Sequence, residues 1–169
     1  IISLMREAVA ECDRRGGGLV IGNEATDAFS AGANLMLIVM TASQGNWSAL
    51  EKTIDEFQQA NMLLRYSPIP VVAAPFGLTL GGGTEIALHA DGVRAHAELY
   101  MGLVEVGVGL IPGGGGCKEV LCRYLAGLPD DADPFPAVKR AFETIGLAKV
   151  FTSAEEARAG GFLRESDSI

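Results

Sequence analysis

The sequence predicts an α/β fold with a mostly parallel sheet. Short apolar runs rich in β-branched residues alternate with longer stretches whose apolar side chains recur at helical spacing. Glycine-rich or proline-rich breaks separate these runs along the whole chain. The 169 residues are enough for one domain with a sizeable core, so we expect residues 1–169 to form a single domain.

The first half of the chain contains three predicted helices. Residues 1–15 carry an amphipathic pattern, and the glycines at 16–18 end that helix. Residues 35–42 are apolar all round, which favours a buried helix, and residues 47–66 follow an Asn/Ser start signal. The other predicted elements are buried strands at 19–23 and 71–75 and loops at 24–34 and 76–80.

The second half of the chain is predicted to continue the alternation of strands and helices. A helix begins near Gly82 or Gly83, within a run of three glycines. Ser153 and Glu156 form a capping box at the start of the last predicted helix. The remaining predicted elements are two short strands within 92–102, helices at 117–126 and 137–150, and a surface loop at 128–136.

The composition argues against several classes of protein. A net charge of −8 disfavours nucleic acid binding, which needs clustered lysine and arginine. No apolar run reaches the roughly 18 residues of a membrane span, and the first residues lack the pattern of a signal peptide. The three cysteines form no CxxC pair, so we expect reduced thiols and a cytoplasmic location. His89 and His96 lack HExxH spacing, and we expect no metal.

Familiar glycine motifs are not completed by this sequence. A P-loop requires GxxxxGK followed by Ser or Thr, but Lys118 is followed by Glu119. The stretch GVGLIP at 107–112 has a proline where a dinucleotide fingerprint has its third glycine. GxSxG is absent and Ser30 has no nearby base in sequence, which disfavours a serine hydrolase.

Two glycine-containing turns follow predicted strands and are candidates for binding a carbonyl oxygen. The turn at 31–33 comes after the strand at 19–23, and the turn at 81–83 comes after the strand at 71–75. Amides at a helix start lack internal partners, and ligands gather beyond the carboxyl ends of parallel strands. The two turns therefore either form an oxyanion hole together or simply make tight, closely packed bends.

Two glutamates are the candidate acid–base groups. Glu85 falls in the first turn of a predicted helix, where it is either a solvated partner of the helix dipole or a catalytic carboxylate. Glu105 stands alone in the apolar stretch MGLVEVGVGL, so it must be hydrogen-bonded, protonated or functional. Two carboxylates from different elements suit acid–base work on a water molecule, provided that the fold brings them together.

Three segments of the chain resemble the crotonase family, the enoyl-CoA hydratase/isomerase superfamily. They are FSAGAN, PVVAAPFGLTLGGGTEIALHAD and MGLVEVGVGLIPGGGG, which show the family's turn, its Gly-Gly-Gly-x-Glu motif and its second glutamate in order. The resemblance covers nearly the whole chain and implies the crotonase-like (ClpP/crotonase) ββα superhelix. It also implies a chain truncated at both ends, because members have further elements before the first helix and after the last one.

The resemblance assigns a role to each candidate residue. Glu85 and Glu105 become two catalytic carboxylates that hold one water; Glu85 helps deliver its oxygen to Cβ, and Glu105 supplies the proton to Cα. The implied reaction is hydration of a trans-2-enoyl-CoA, with coenzyme A as part of the substrate and no metal or redox cofactor. The backbone positions are the oxyanion-hole donors Ala33 and Gly82 and the substrate-binding residues Ala31, Gly32, Gly81 and Gly83.

The C-terminal stretch DPFPAVKRAFETIGLAKVFTSAEEARAGGFLRESD resembles the crotonase segment of bifunctional proteins that also contain a 3-hydroxyacyl-CoA dehydrogenase. This implies a role in fatty-acid β-oxidation, with either a homo-oligomer (trimer or hexamer) or a dehydrogenase domain in the same chain as partner. Met36 stands where many members have a lysine that contacts CoA. Arg65 and Lys118 are then the candidates for holding the CoA phosphates.

Two other functions stay open beside hydration. The same fold also carries double-bond isomerases, thioesterases, decarboxylases and dehalogenases, which differ in their products. A catalytically silent module that docks acyl-CoA beside a dehydrogenase is the third alternative. The pair of glutamates disfavours the silent module, because such a module needs no desolvated carboxylates.

Overall fold

A computed structural model describes all of residues 1–169. The chain forms seven α-helices and seven β-strands, with one 3₁₀ helix at Glu105–Val108. The helices are α1 (Ile2–Arg15), α2 (Leu35–Ser43), α3 (Trp47–Arg65), α4 (Gly82–His89), α5 (Gly116–Leu125), α6 (Phe135–Gly146) and α7 (Ala154–Ala159). The strands are β1 (Leu19–Ile21), β2 (Ala28–Ser30), β3 (Val71–Ala73), β4 (Gly77–Leu80), β5 (Gly92–Val93), β6 (Leu99–Gly102) and β7 (Val150–Phe151).

The strands form two sheets, one with three strands and one with four. One sheet has the order β1-β3-β5 and is parallel throughout. The other has the order β2-β4-β6-β7, in which the first three strands are parallel and β7 is antiparallel to β6. Each successive pair of strands therefore adds one strand to each sheet before a helix follows. This is the ββα order, and it confirms the predicted α/β fold with a mostly parallel sheet.

Two predicted loops were wrong, because each contains a strand of the second sheet. The loop at 24–34 contains β2, and the loop at 76–80 is largely β4. Both strands are short and are stabilised by pairing with each other, which local propensity cannot reveal. Their approach requires Gly77, since a Cβ placed there would lie 2.1 Å from the carbonyl oxygen of Asp27.

The burial predicted for two elements was also wrong. The helix expected at 35–42 is present as α2, capped by the side chain of Asn34, but none of its residues is buried. It packs mainly against α3, and Met36 is 68% exposed. The predicted buried strand at 19–23 is β1 at the edge of its sheet, where Val20 faces outward and is 70% exposed.

The core surrounds α4, which is the most deeply placed helix. Every residue from Gly83 to His89 is buried. Fully buried side chains from α3, the sheets and the segment that follows α7 pack around this helix and fix its position. They include Leu64, Val71, Leu99, Met101 and Phe162.

The C-terminal elements agree closely with those predicted from the sequence. The helix predicted at 137–150 ends earlier, at Gly146, and Val150 begins β7. Ser153 caps α7 by accepting a hydrogen bond from the amide of Glu156, which confirms the capping interaction. The Glu156 carboxylate accepts a hydrogen bond from the amide of Thr152, one residue before the cap. None of the helices combines the length and the apolar character that crossing a membrane requires.

Candidate active site

The two glycine turns lie side by side because β2 and β4 are neighbouring parallel strands. The turn at 31–33 follows β2 and the turn at 81–83 follows β4, rather than the strands predicted for them. A Cβ placed on Gly32 would lie 3.1 Å from the carbonyl oxygen of Leu80 and 3.5 Å from the amide nitrogen of Gly82. The structure thus brings the carboxyl ends of both strands, and both turns, to one place.

The backbone amides of these turns differ in their availability. The amide of Ala33, an exposed residue, donates no hydrogen bond within the chain. Gly82 is the first residue of α4, so its amide has no acceptor inside the helix. Gly81 has a φ of +53° and its amide donates to the carbonyl of Gly102. The amides of Ala33 and Gly82 therefore have no acceptor within the chain, whereas that of Gly81 does.

Gly83 serves packing between the second sheet and α4. A Cβ placed on Gly83 would lie 2.6 Å from the Cβ of Ser30, so no larger residue fits there. Ala31 is an exposed residue of the turn that follows β2. The helix α4 and the strand β2 can therefore approach closely at Gly83.

Glu85 lies in the first turn of α4 and is only 2% exposed. Its Oε1 accepts hydrogen bonds from the amides of Gly114 and Gly116, both at 2.8 Å. Burial raises the pKa of Glu85, and the two amides act in the opposite direction. The sequence left two interpretations of Glu85 open. Its burial excludes the one in which it is a solvated partner of the helix dipole.

Glu105 opens the 3₁₀ helix that follows β6. Its Oε1 lies 3.1 Å from the position of a Cβ placed on Gly81, and its Oε2 is buried without a hydrogen-bond partner. Burial is the main cause that raises the pKa of Glu105 to about 7; the negative charge of Glu85 adds to it, and hydrogen bonds from the backbone amides of Glu105 and Val104 act in the opposite direction. This environment therefore favours the protonated form of the carboxyl group more than water would.

The two glutamates share one site with the glycine turns. Oε2 of Glu85 lies 4.0 Å from the position of a Cβ placed on Gly82, and Glu105 lies against Gly81 in the same turn. The charge of Glu85 also acts on Glu105. The four residues come from α4, the turn before it and the 3₁₀ helix, so the fold brings together what the sequence places twenty residues apart.

The glycine turn at 113–116 completes the wall of the site, and its role was not predicted from the residues. A Cβ placed on Gly114 would lie 2.3 Å from Cε1 of Phe57 and 2.5 Å from Oε2 of Glu85. Cys117 follows this turn, and burial together with the charges of Glu85 and Glu105 raises the pKa of its thiol. The run of four glycines was the available signal for a close backbone approach.

The two cations considered for CoA binding are paired with a buried acid. Nζ of Lys118 lies 2.7 Å from Oε1 of Glu119, and Nε of Arg65 lies 3.9 Å from the same atom. Lys118 also lies 3.2 Å from Nε2 of His89, a fully buried ring next to α5. No three His, Cys, Asp or Glu side chains are placed to hold a metal ion.

Comparison with known proteins places this arrangement in a family. A model of the enoyl-CoA hydratase/isomerase family matches residues 4–126. The chain is 48% identical over its full length to a protein of Bacillus subtilis (strain 168) named "Probable 3-hydroxyacyl-CoA dehydrogenase", of which it covers 21%. It is 32% identical over 71% of its length to human mitochondrial methylglutaconyl-CoA hydratase, of which it covers 35%. The chain thus spans only about a fifth to a third of the length of these relatives.

Solved structures agree with the family match. An enoyl-CoA hydratase from Polaromonas sp. JS666 superposes with a TM-score of 0.80 at 25% identity, covering 99% of this chain and 60% of that one. An enoyl-CoA hydratase from Bacillus anthracis gives a TM-score of 0.77 at 25% identity, covering 99% of this chain and 58% of that one. The resemblance inferred from the motifs and the crotonase-like fold are both confirmed. The chain therefore belongs to the enoyl-CoA hydratase/isomerase family.

Proposed function

We propose that this chain catalyses the hydration of a trans-2-enoyl-CoA to the 3-hydroxyacyl-CoA. The observation that carries the proposal is the pair of carboxylates, Glu85 and Glu105, that reach one site from two different elements beside the glycine turns. Two carboxyl groups that share a water molecule can remove one proton and supply another. Hydration needs both steps, since the hydroxyl group adds to Cβ and a proton adds to Cα.

The amides of Ala33 and Gly82 bind the thioester oxygen in this proposal. Addition of the hydroxyl group to Cβ shifts electron density onto that oxygen and gives it enolate character. Each amide aimed at such a developing charge is typically worth about 10²–10³ in rate. The free amide of Ala33 and the helix-start amide of Gly82 supply two donors from neighbouring turns.

The two carboxyl groups have environments that suit different roles. Burial raises the pKa of Glu85, but the hydrogen bonds that it accepts from two backbone amides favour its ionised form, and in this proposal Glu85 is the base that accepts a proton from the water. Glu105 has a buried oxygen without a donor and a pKa of about 7, so it can carry the proton that goes to Cα. Environments that separate the protonation of two neighbouring acids are a common basis for acid–base pairs.

The pathway and the partner of the chain are also part of this proposal. A 3-hydroxyacyl-CoA dehydrogenase, as the Bacillus subtilis relative is named, acts on the product of this hydration. We therefore propose that the chain functions in fatty-acid oxidation in the cytoplasm, next to a dehydrogenase domain of the same polypeptide or in a trimer or hexamer. Coenzyme A enters as part of the substrate, and the proposed steps use only side chains and amides of this chain.

The test is turnover of crotonyl-CoA by the intact protein, followed by loss of the enoyl thioester absorbance, with mass spectrometry of the product. The expected product is heavier by one water, and Glu85→Gln and Glu105→Gln each lower kcat by about 10²–10⁴. Glu7→Gln is the control, because Glu7 is exposed on α1, far from the site in the chain. An unchanged rate in both active-site variants would overturn the proposal, and a product of unchanged mass with a moved double bond would assign an isomerase instead.

A further inference from the structure

The turn at 113–116 presents three successive peptide groups to the interior. The amide of Gly114, in the first group, and the amide of Gly116, in the third, both donate to Oε1 of Glu85 at 2.8 Å. The middle group, between Gly114 and Gly115, separates these two donors. The orientation of Glu85 therefore depends on how firmly this turn is held.

Each of the three carbonyls in this turn accepts a hydrogen bond. The carbonyl of Gly113 accepts from Nε2 of Gln58 at 2.7 Å, and that of Gly114 accepts from Nδ2 of Asn61 at 2.8 Å. The carbonyl of Gly115 accepts from the amide of Glu119 at 3.0 Å, within the first turn of α5. Two of the three donors are thus side chains one helical turn apart on α3.

The bond from Gln58 acts on the same peptide group that donates to Glu85. The carbonyl of Gly113 and the amide of Gly114 are the two ends of one planar unit, so a donor at the carbonyl end fixes the plane. It also polarises the unit and strengthens the bond at the amide end. Gln58 therefore affects the Glu85 carboxylate indirectly, through the one peptide group that joins Gly113 and Gly114.

Asn61 holds the middle peptide group from a site with no access to solvent. Its side chain is 0% exposed and its Oδ1 has no hydrogen-bond partner, so the bond to Gly114 is its one compensation for burial. A buried amide that leaves one atom unsatisfied is costly, and a hydrophobic residue of similar size would avoid that cost. The presence of asparagine fits a need to hold this carbonyl in place.

We infer that Gln58 and Asn61 are positioning residues that hold the turn at 113–116 so that its amides orient the Glu85 carboxylate and favour its ionised form. The catalytic consequence rests on the proposed function, whereas the effect on Glu85 itself does not. Loss of either side chain weakens the amides as donors, which raises the pKa of Glu85. The acidic limb of the kcat/KM profile then moves to higher pH.

The decisive comparison is Gln58→Ala against Gln59→Ala in the intact protein. Gln58 and its neighbour Gln59 are both exposed on α3, but only Gln58 bonds the turn. One measurement is the titration of the Glu85 side chain by ¹³C NMR with carboxyl-labelled glutamate, assigned by its absence in Glu85→Gln. The other is crotonyl-CoA hydration across pH. Asn61→Ala is the second variant, with its melting temperature recorded because the site is buried.

We expect Gln58→Ala to move the Glu85 titration and the acidic limb to higher pH and to lower kcat by about 2- to 10-fold, the range of one hydrogen bond. Gln59→Ala leaves both unchanged. A Gln58→Ala protein that titrates and turns over like Gln59→Ala overturns the inference, as does a loss of stability without any shift of Glu85. A shifted titration in a protein that hydrates no enoyl-CoA supports the positioning role and refutes the proposed function instead.

Discussion

Glu105 lies close enough to Glu85 for the charge of one to affect the protonation of the other. Burial comes first, and the charge of Glu85 adds to it, so that the pKa of Glu105 rises to about 7. Oε1 of Glu85 meanwhile accepts two amide hydrogen bonds, whereas Oε2 of Glu105 is buried and accepts none. This asymmetry leads to two predictions about pH.

The first prediction concerns the basic limb of activity. If Glu105 supplies the proton to Cα, it must be protonated in the free enzyme, so kcat/KM falls as pH rises through about 7. In Glu105→Gln the residual activity no longer shows this limb, because the titrating group is gone. The measurement is kcat/KM for crotonyl-CoA between pH 5 and 9. A basic limb near 7 that persists in Glu105→Gln would assign it to another group.

The second prediction concerns stability. The pKa of Glu105 is raised in the folded state, so the folded protein holds more protons than the unfolded chain between the ordinary value of 4.5 and about 7. Stability therefore falls as pH rises through that window. Glu105→Gln removes this effect, so the substitution increases the free energy of unfolding more at pH 8 than at pH 5, by on the order of 1 kcal/mol because solvent screens this partly exposed group. Urea unfolding of both proteins at the two pH values measures it, and an equal difference at both would contradict the assignment.

Strongly periodic segments of the sequence were sufficient to predict their structure. Residues 1–15 and 47–66 carry enough apolar repeats to specify α1 and α3, and glycine or proline marks their ends. The strands β2 and β4 were missed because three or four residues carry no usable period, and pairing between them provides their stability. The exposure of α2 was missed because an apolar pattern states a preference for burial without showing what covers the helix.

The site was predicted in part for similar reasons. Glu85 and Glu105 could be singled out, since each is a lone carboxylate in an apolar or glycine-rich setting. Their meeting depends on the pairing of β4 with β6, which the residues themselves do not reveal. Gln58 and Asn61 were not found, because their partners in the glycine turn lie 55 and 53 residues away and both look like ordinary polar helix residues.

The third prediction concerns the close packing at Gly114. A Cβ at this position meets both Phe57 and the Glu85 carboxylate, so Gly114→Ala displaces one of them or the turn itself. We expect a loss of about 1–3 kcal/mol in stability, the usual range for overpacking, together with a fall in kcat for crotonyl-CoA. Gly127→Ala is the matched control, because nothing lies within 4 Å of its Cβ position and its φ is not positive.

Calorimetry and steady-state kinetics of the two alanine variants test this packing. Equal melting temperatures and equal kcat values for Gly114→Ala and Gly127→Ala would show that the turn moves aside without loss. A fall in kcat without a fall in melting temperature would place the effect on Glu85 alone.

The fourth prediction concerns Glu119, the buried acid beside Lys118 and Arg65. Burial alone would raise its pKa, but the hydrogen bond from Lys118 and the charges nearby lower it below the ordinary value. A group with a depressed folded pKa stabilises the protein above its unfolded pKa of about 4.5, and this stability is lost as pH falls through the folded value. Glu119→Gln is therefore expected to lose about 1–3 kcal/mol at pH 7, a range typical of a charged hydrogen bond, and progressively less below pH 4.5.

The control for this pair is Glu155→Gln, which removes an ion pair to Arg158 in which the Glu155 side chain is 74% exposed. Exposed pairs contribute about 0–1 kcal/mol, so this variant should unfold in urea almost like the parent protein at pH 7 and at pH 4. The contrast depends on burial, since Glu119 is 4% exposed and its removal leaves Lys118 without the carboxylate it contacts. If both variants lost the same stability at pH 7, the interactions of Glu119 with Lys118 and Arg65 would contribute no more to stability than an exposed ion pair.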